Sequence, residues 1–151
     1  MTKKSILLIS VAVALAACYL YYFTDWINPP VIQILPQLRP PRNPARNPSP
    51  VYQVSFNLDG KYRLTSVKVI PIQALATNKN AAPIWNLTTS SNSLPQKGFF
   101  YGVPIPGMRP ALTNARPQRL QPEVAYRLFV KSGRAKGQVD FKTHALPAPD
   151  Q

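Results

Sequence analysis

Catalysis needs an acid, a base, a nucleophile or a metal held at a workable spacing. The chain offers five carboxylates (Asp25, Asp59, Glu123, Asp140, Asp150), one histidine, His144, and one cysteine, Cys18. No two carboxylates are spaced as an acid–base pair. Asp59 stands in an Asp-Gly pair, Asp25 flanks an apolar run and Asp150 belongs to the tail. His144 closes the last β-like segment, where an exposed edge imidazole is the ordinary outcome. A single histidine and a cysteine inside an apolar run do not make a zinc site. Gly98-x-x-x-Gly102 lacks the Lys-Ser/Thr pair that completes a phosphate-binding loop. The inventory points away from an enzyme, and it calls for no metal and no cofactor.

Two stretches are better suited to binding. In 97–109, KGFFYGVPIPGMR, strand alternation buries only some of Phe99, Phe100 and Tyr101. The remaining rings would sit near Lys97 and Arg109 beside a Pro/Gly loop, and aromatic residues with Arg are enriched at protein interfaces. The second stretch is the loop carrying Lys131, Arg134 and Lys136, a basic hairpin tip. Eighteen Lys and Arg against five Asp and Glu give a net charge of +13. Such an excess favours anionic partners. The cations are scattered singly from Lys61 to Lys142, which disfavours a dedicated nucleic-acid surface. An envelope protein or an anionic polymer is the expected partner, and a basic nucleic-acid binder is the alternative.

These stretches must be positioned by elements that the sequence also marks. Residues 5–23, SILLISVAVALAACYLYYF, are nineteen residues without a charge, directly after Lys3 and Lys4. A bilayer core takes ~20 apolar helical residues, so residues 1–27 are expected to anchor the chain, with one helix from about Lys4 to Phe23. Tyr19, Tyr21, Tyr22 and Trp26 gather at the far end, as an interfacial belt does. The basic start places the N-terminus inside and the rest of the chain outside the cytoplasmic membrane. Ala14, Ala16 and Ala17 also fit a cleaved secretory signal. Leu15-Ala16-Ala17-Cys18 resembles the bacterial lipobox, which would make Cys18 a lipidated N-terminus of an accessory lipoprotein. Against that, the apolar run continues through Tyr19–Phe23. With one cysteine, no disulfide can form within the chain.

Residues 28–49 read as a Pro-rich linker. Eight prolines and no glycine occupy 28–50, a density that argues against regular structure and for a semi-rigid spacer. Val31, Ile32, Ile34 and Leu35 interrupt it as an apolar patch, free to dock on the domain or lie on the membrane. Arg39, Arg42 and Arg46 would graze headgroups. From residue 50 the period becomes two. Tyr52, Val54, Phe56 and Leu58 alternate with polar residues, and Asp59-Gly60 reads as a hairpin turn returning through 61–72. Tyr62 and Leu64 share one parity while Val67 and Val69 take the other, which requires a bulge or a strand passing between sheets. Ala74-Leu75-Ala76 suits a helical turn. Further strands are expected at 84–87, 97–103, 124–131 and 138–143, with 132–137 as a hairpin loop and 145–151 as a flexible tail. Six or seven short strands in 50–144 argue for an all-β sandwich.

The spacing Leu120-x-Pro122-x-x-x-Tyr126-x-Leu128-x-Val130 resembles the entrance to strand F of fibronectin type III and other immunoglobulin-like domains. That resemblance implies that Leu120 plugs the core, Pro122 shapes the corner and the Tyr126 hydroxyl bonds back to backbone near 116–120. Trp85 would be the core indole, beside Tyr126. The Trp85, Gly98–Gly102 and Leu120–Val130 blocks also resemble small bacterial membrane-tethered proteins, a likeness that supplies no activity.

Overall fold

The computed structural model describes residues 2–23, 29–40, 51–89 and 93–147. Trp26, Arg42, Arg46, the serine-rich turn at 90–92 and the tail beyond 147 lie outside the described residues. The chain divides into two units, Met1–Pro30 and Val31–Gln151.

The first unit is helix α1, Lys3–Phe23. Its 21 residues rise about 31 Å, matching a hydrocarbon core of ~30 Å. No side chain of α1 is buried. A helix apolar all round and covered by nothing is suited to lipid. It is long and apolar enough to cross a membrane or serve as a signal anchor. Tyr19 stacks on Phe23 at 5.3 Å, one helical turn away. Ser10 turns its hydroxyl to the Ile6 carbonyl, so its polar group is met within the helix.

The second unit is built from β1 (Ile34–Arg39), β2 (Gln53–Tyr62), β3 (Ser66–Pro71), a short helix α2 (Ile72–Thr77), β4 (Trp85–Thr88), β5 (Gln96–Phe100), β6 (Arg109–Pro110), β7 (Ala125–Ser132) and β8 (Ala135–Lys142). These eight strands form two antiparallel sheets, ordered β1-β2-β5 and β6-β4-β3-β7-β8. One core joins them. Val54, Phe56, Leu58 and Phe99 come from the first sheet; Val67, Val69, Trp85, Leu87, Leu128, Val130 and Phe141 come from the second. Phe56 packs across onto Phe141 at 5.1 Å, and Trp85 faces Phe99 at 6.1 Å. Each large side chain buried this way contributes about 1.5–3 kcal/mol.

Part of the spacer is strand. Ile34–Arg39 pairs with Gln53–Leu58, and Ile32 is buried in the shared core. Pro36 does not prevent this, because an edge strand tolerates a missing N–H. The fit is close: a Cβ on Gly137 would stand 2.5 Å from the Ile32 carbonyl oxygen. The apolar patch therefore docks on the domain.

Asp59-Gly60 makes no hairpin. Both residues lie inside β2, and β2 and β3 belong to different sheets. The parity conflict between Leu64 and Val67 is resolved by the chain crossing from one sheet to the other. Leu64, at the crossing, is fully buried, as are Val67 and Val69 beyond it. Thr65 fixes the crossing by donating its amide to the Lys131 carbonyl at 2.7 Å. At the other predicted hairpin the turn is tighter than 132–137. Ser132 pairs with Ala135, leaving Gly133 and Arg134 as the loop, and Gly133 takes φ of 58°, which glycine adopts without steric cost. The aromatic strand ends at Phe100 rather than 103. The helical turn at 74–76 is α2. The tail begins in register, with Ala145 bridged to Val51.

The Leu120–Tyr126 corner forms. Leu120 and Tyr126 are buried and Pro122 is exposed. The Tyr126 hydroxyl accepts the Gln121 amide at 3.0 Å, one residue beyond the expected span. Its ring stacks on Phe141 at 5.7 Å. Thr143, fully buried, completes the corner: its hydroxyl reaches the Gln121 carbonyl at 2.5 Å and the Val124 carbonyl at 3.2 Å.

Candidate functional site

The 97–109 stretch does not form one surface. Phe99 enters the core, opposite Phe56 in register. Phe100 takes the other face of β5, beside Ser55, while Lys97 is exposed on the same strand. Tyr101 turns inward, its ring edge-on to Trp85 at 5.1 Å. Its hydroxyl donates to the Gln118 carbonyl at 2.7 Å, and burial, with the neighbouring Tyr126 as the lesser cause, raises its pKa well above the ordinary phenol value. Arg109 belongs to the other sheet, where β6 pairs with β4.

The Gln118 carbonyl that Tyr101 holds belongs to the wall of a groove that sequence reasoning missed. The loop after Tyr101, which includes β6, runs back along the edge of β4 away from β3. Ala111 donates its amide to the Asn86 carbonyl and Gln118 to the Ile84 carbonyl, both at 3.1 Å. Between loop and strand lies a cavity of about 400 Å³, lined among others by Ile84, Trp85, Asn86, Met108, Leu112 and Pro117. That volume falls within the size range of small-ligand pockets. Asn86, one of the lining residues, has its side-chain Oδ1 buried without a hydrogen-bond partner. An unmet buried acceptor costs about 1–3 kcal/mol. The signal in sequence was slight, a Pro/Gly-rich stretch after residue 103 and an ordinary Asn in a strand. The two walls are some twenty residues apart, and only folding brings them together.

Of the basic residues in the two predicted stretches, Arg109 shares a register row with Lys131 and Lys136, while Lys97 stays on the other sheet. Across the five-stranded sheet, Arg109 pairs with Thr88, Thr88 with Ser66, Ser66 with Lys131, and Lys131 with Lys136. Residues in one register row share a face, so Arg109, Lys131 and Lys136 project together, and all three are exposed. Arg134 occupies the turn beyond them. Arg63 joins from the crossing between sheets, its carbonyl accepting the Ser132 hydroxyl at 2.7 Å. Among the described residues, none of these five cations forms a salt bridge.

The opposite end of the same sheet is arranged differently. Arg127 grips Asp140 through two bonds, at 2.5 and 2.8 Å. Lys142 lies 2.8 Å from Glu123, whose other oxygen faces His144 Nδ1 at 3.2 Å. Hydrogen bonds from Lys142 and then His144 lower the Glu123 pKa. The bond from Arg127 does the same for Asp140.

Cys18 is exposed within α1, and the helix runs past it for five residues. Among the described residues, no three His, Cys, Asp or Glu side chains gather in a metal-binding group. Compared with protein-family models, curated proteins and solved structures, the chain matches none.

Proposed function

We propose that this is a non-enzymatic interaction protein, tethered to the cytoplasmic membrane by α1, with its β-domain outside. In this reading the domain is a sandwich of the immunoglobulin or fibronectin type III kind. The Tyr126 hydroxyl holding the Gln121 amide and the buried Leu120 and Trp85 support it. The partner is an envelope protein that inserts an apolar segment into the groove along β4. The observation that carries this is the unmet Asn86 acceptor in an otherwise largely apolar groove. Recognition by an apolar groove with a few placed polar groups is common in binding sites, and an N–H from the partner would satisfy Asn86.

A photo-crosslinker at Leu112, which is exposed on the groove wall, tests the reading in the full chain in its native membrane. The expected result is one dominant adduct from Leu112, none from a crosslinker at Lys79, and at least ~tenfold less adduct in Asn86→Val, since losing a buried polar bond costs this order of affinity. Equal adducts from Leu112 with and without Asn86 would overturn it. A reporter on the C-terminus that is active only inside the cell would overturn the orientation.

A further inference from the structure

We infer that the row of unpaired cations is a lipid-facing surface, by which the domain seats itself on anionic phospholipid headgroups. The inference rests on the membrane tether proposed above and adds a second, reversible contact to it.

Three observations lead there. The first is the charge itself. Arg109, Lys131 and Lys136 share one row, Arg134 and Arg63 flank it, and no described carboxylate pairs with any of them. Asp59, which raises the Tyr62 pKa, forms no ion pair with any of the five. The second is the contrast with the far end of the sheet, where Arg127 and Lys142 are neutralised by neighbours. On the outer face of β7 and β8 the unpaired cations, Lys131 and Lys136, thus stand at one end and the paired ones at the other.

The third observation is the point at which the chain joins the domain. Val31 bridges Lys136, and the Ile32 amide donates to the Lys136 carbonyl at 2.9 Å. The domain begins at its basic pole, beside a member of the row. Eight residue steps separate Val31 from Phe23, the end of α1. At no more than ~3.6 Å per step, the tether spans about 29 Å or less. A spanning α1 therefore keeps the basic pole within reach of the headgroups, and on contact each Lys or Arg gains about fivefold in association with anionic lipid. A nucleic acid or an acidic protein would match the same charge but has no such confinement to favour it.

The lysines report on their own contact. The full chain is reconstituted into vesicles of neutral phosphatidylcholine, or of phosphatidylcholine with roughly a third phosphatidylglycerol, and labelled with an amine-reactive reagent read by mass spectrometry. Lys79, in the loop after α2, is the internal reference. Labelling of Lys131 and Lys136 relative to Lys79 is expected to fall by about tenfold or more in anionic vesicles only. High salt should restore it, as should the double variant Arg109→Glu/Arg134→Glu, which keeps both reporting lysines. Equal labelling in the two lipids, from protein that alkaline carbonate does not extract, overturns this inference and leaves the tether standing. Extraction from both lipids overturns the tether and the seating together. Protection by added polyglutamate or duplex DNA, with none from anionic lipid, reassigns the pole to an acidic polymer and overturns it too.

Discussion

At the far end of the five-stranded sheet, Arg127 and Lys142 each face a carboxylate; at the end where the chain joins, Arg109, Lys131 and Lys136 face none among the described residues. Both ends use ordinary Lys and Arg on the solvent side of the same strands. β7 supplies Lys131 to one end and Arg127 to the other; β8 supplies Lys136 and Lys142. What differs is the cross-strand neighbour. Register sets Asp140 opposite Arg127 and Lys136 opposite Lys131. Like charges directly opposite one another are destabilising in a sheet, so the near end carries a repulsion that the far end does not. Charge polarity in this domain is a property of strand register, and composition alone does not reveal it.

That comparison can be broken most severely at the far end. Tyr126→Ala removes a buried ring from the corner and is expected to cost about 3–5 kcal/mol, read by chemical denaturation of the full chain in neutral-lipid discs with near-ultraviolet circular dichroism. The near end has its own weak point in Gly137. Gly137→Ala drives a methyl into the Ile32 carbonyl and should cost about 1–3 kcal/mol. Amide exchange should quicken around 31–34 and stay unchanged at the Tyr126 corner. Exchange rising equally at both places would show that the two ends do not loosen independently. Tyr126→Phe strands the Gln121 amide while keeping the ring, for about 1 kcal/mol.

Acid acts on one end only. Glu123 and Asp140 have folded pKa values below their ordinary ones. Their contribution is complete above the ordinary carboxylate range and is lost as pH falls through the depressed folded values, from about pH 4 downwards. Exchange should accelerate first around 123–127 and 140–143, with the Lys131–Lys136 turn unaffected. Salt should give the smallest effect. Screening relieves the unpaired cations and weakens the exposed pairs, which are worth little in any case. The melting temperature in neutral discs should therefore rise slightly with ionic strength; a fall would mean that the far-end pairs outweigh the near-end repulsion.

Local signals in the sequence are legible where an element depends on its own residues. An uncharged run of helical length gives α1, and period-two alternation gives β2, β7 and β8. The Leu120–Tyr126 spacing gives the corner with its buried phenol. The misreadings came where a local signal met a tertiary constraint. Proline density argued against structure at 34–39, yet a sheet edge accepts Pro36 and the core rewards Ile32. Asp59-Gly60 suits a turn, but the chain beyond it had to reach the other sheet, so the strand ran straight through. The candidate site was less legible. The aromatic stretch 97–109 reads as one surface in sequence, but folding sends Phe99 and Arg109 to different sheets. The groove needs 82–87 and 102–118 side by side. The basic row needs four registers at once, and no linear window contains it.

Pro36 has a consequence of another kind. A sheet edge offers unpaired N–H and C=O groups on which a foreign strand can build, and proline on an edge strand blocks that growth. β1 closes one edge of its sheet with Pro36 in the middle of the strand, and β6 closes an edge of the other with two residues, one of them Pro110. Each is a poor template for a further strand. At these two edges, though not at β5 and β8, which close the other sides of the sheets, neighbouring copies resist joining strand to strand.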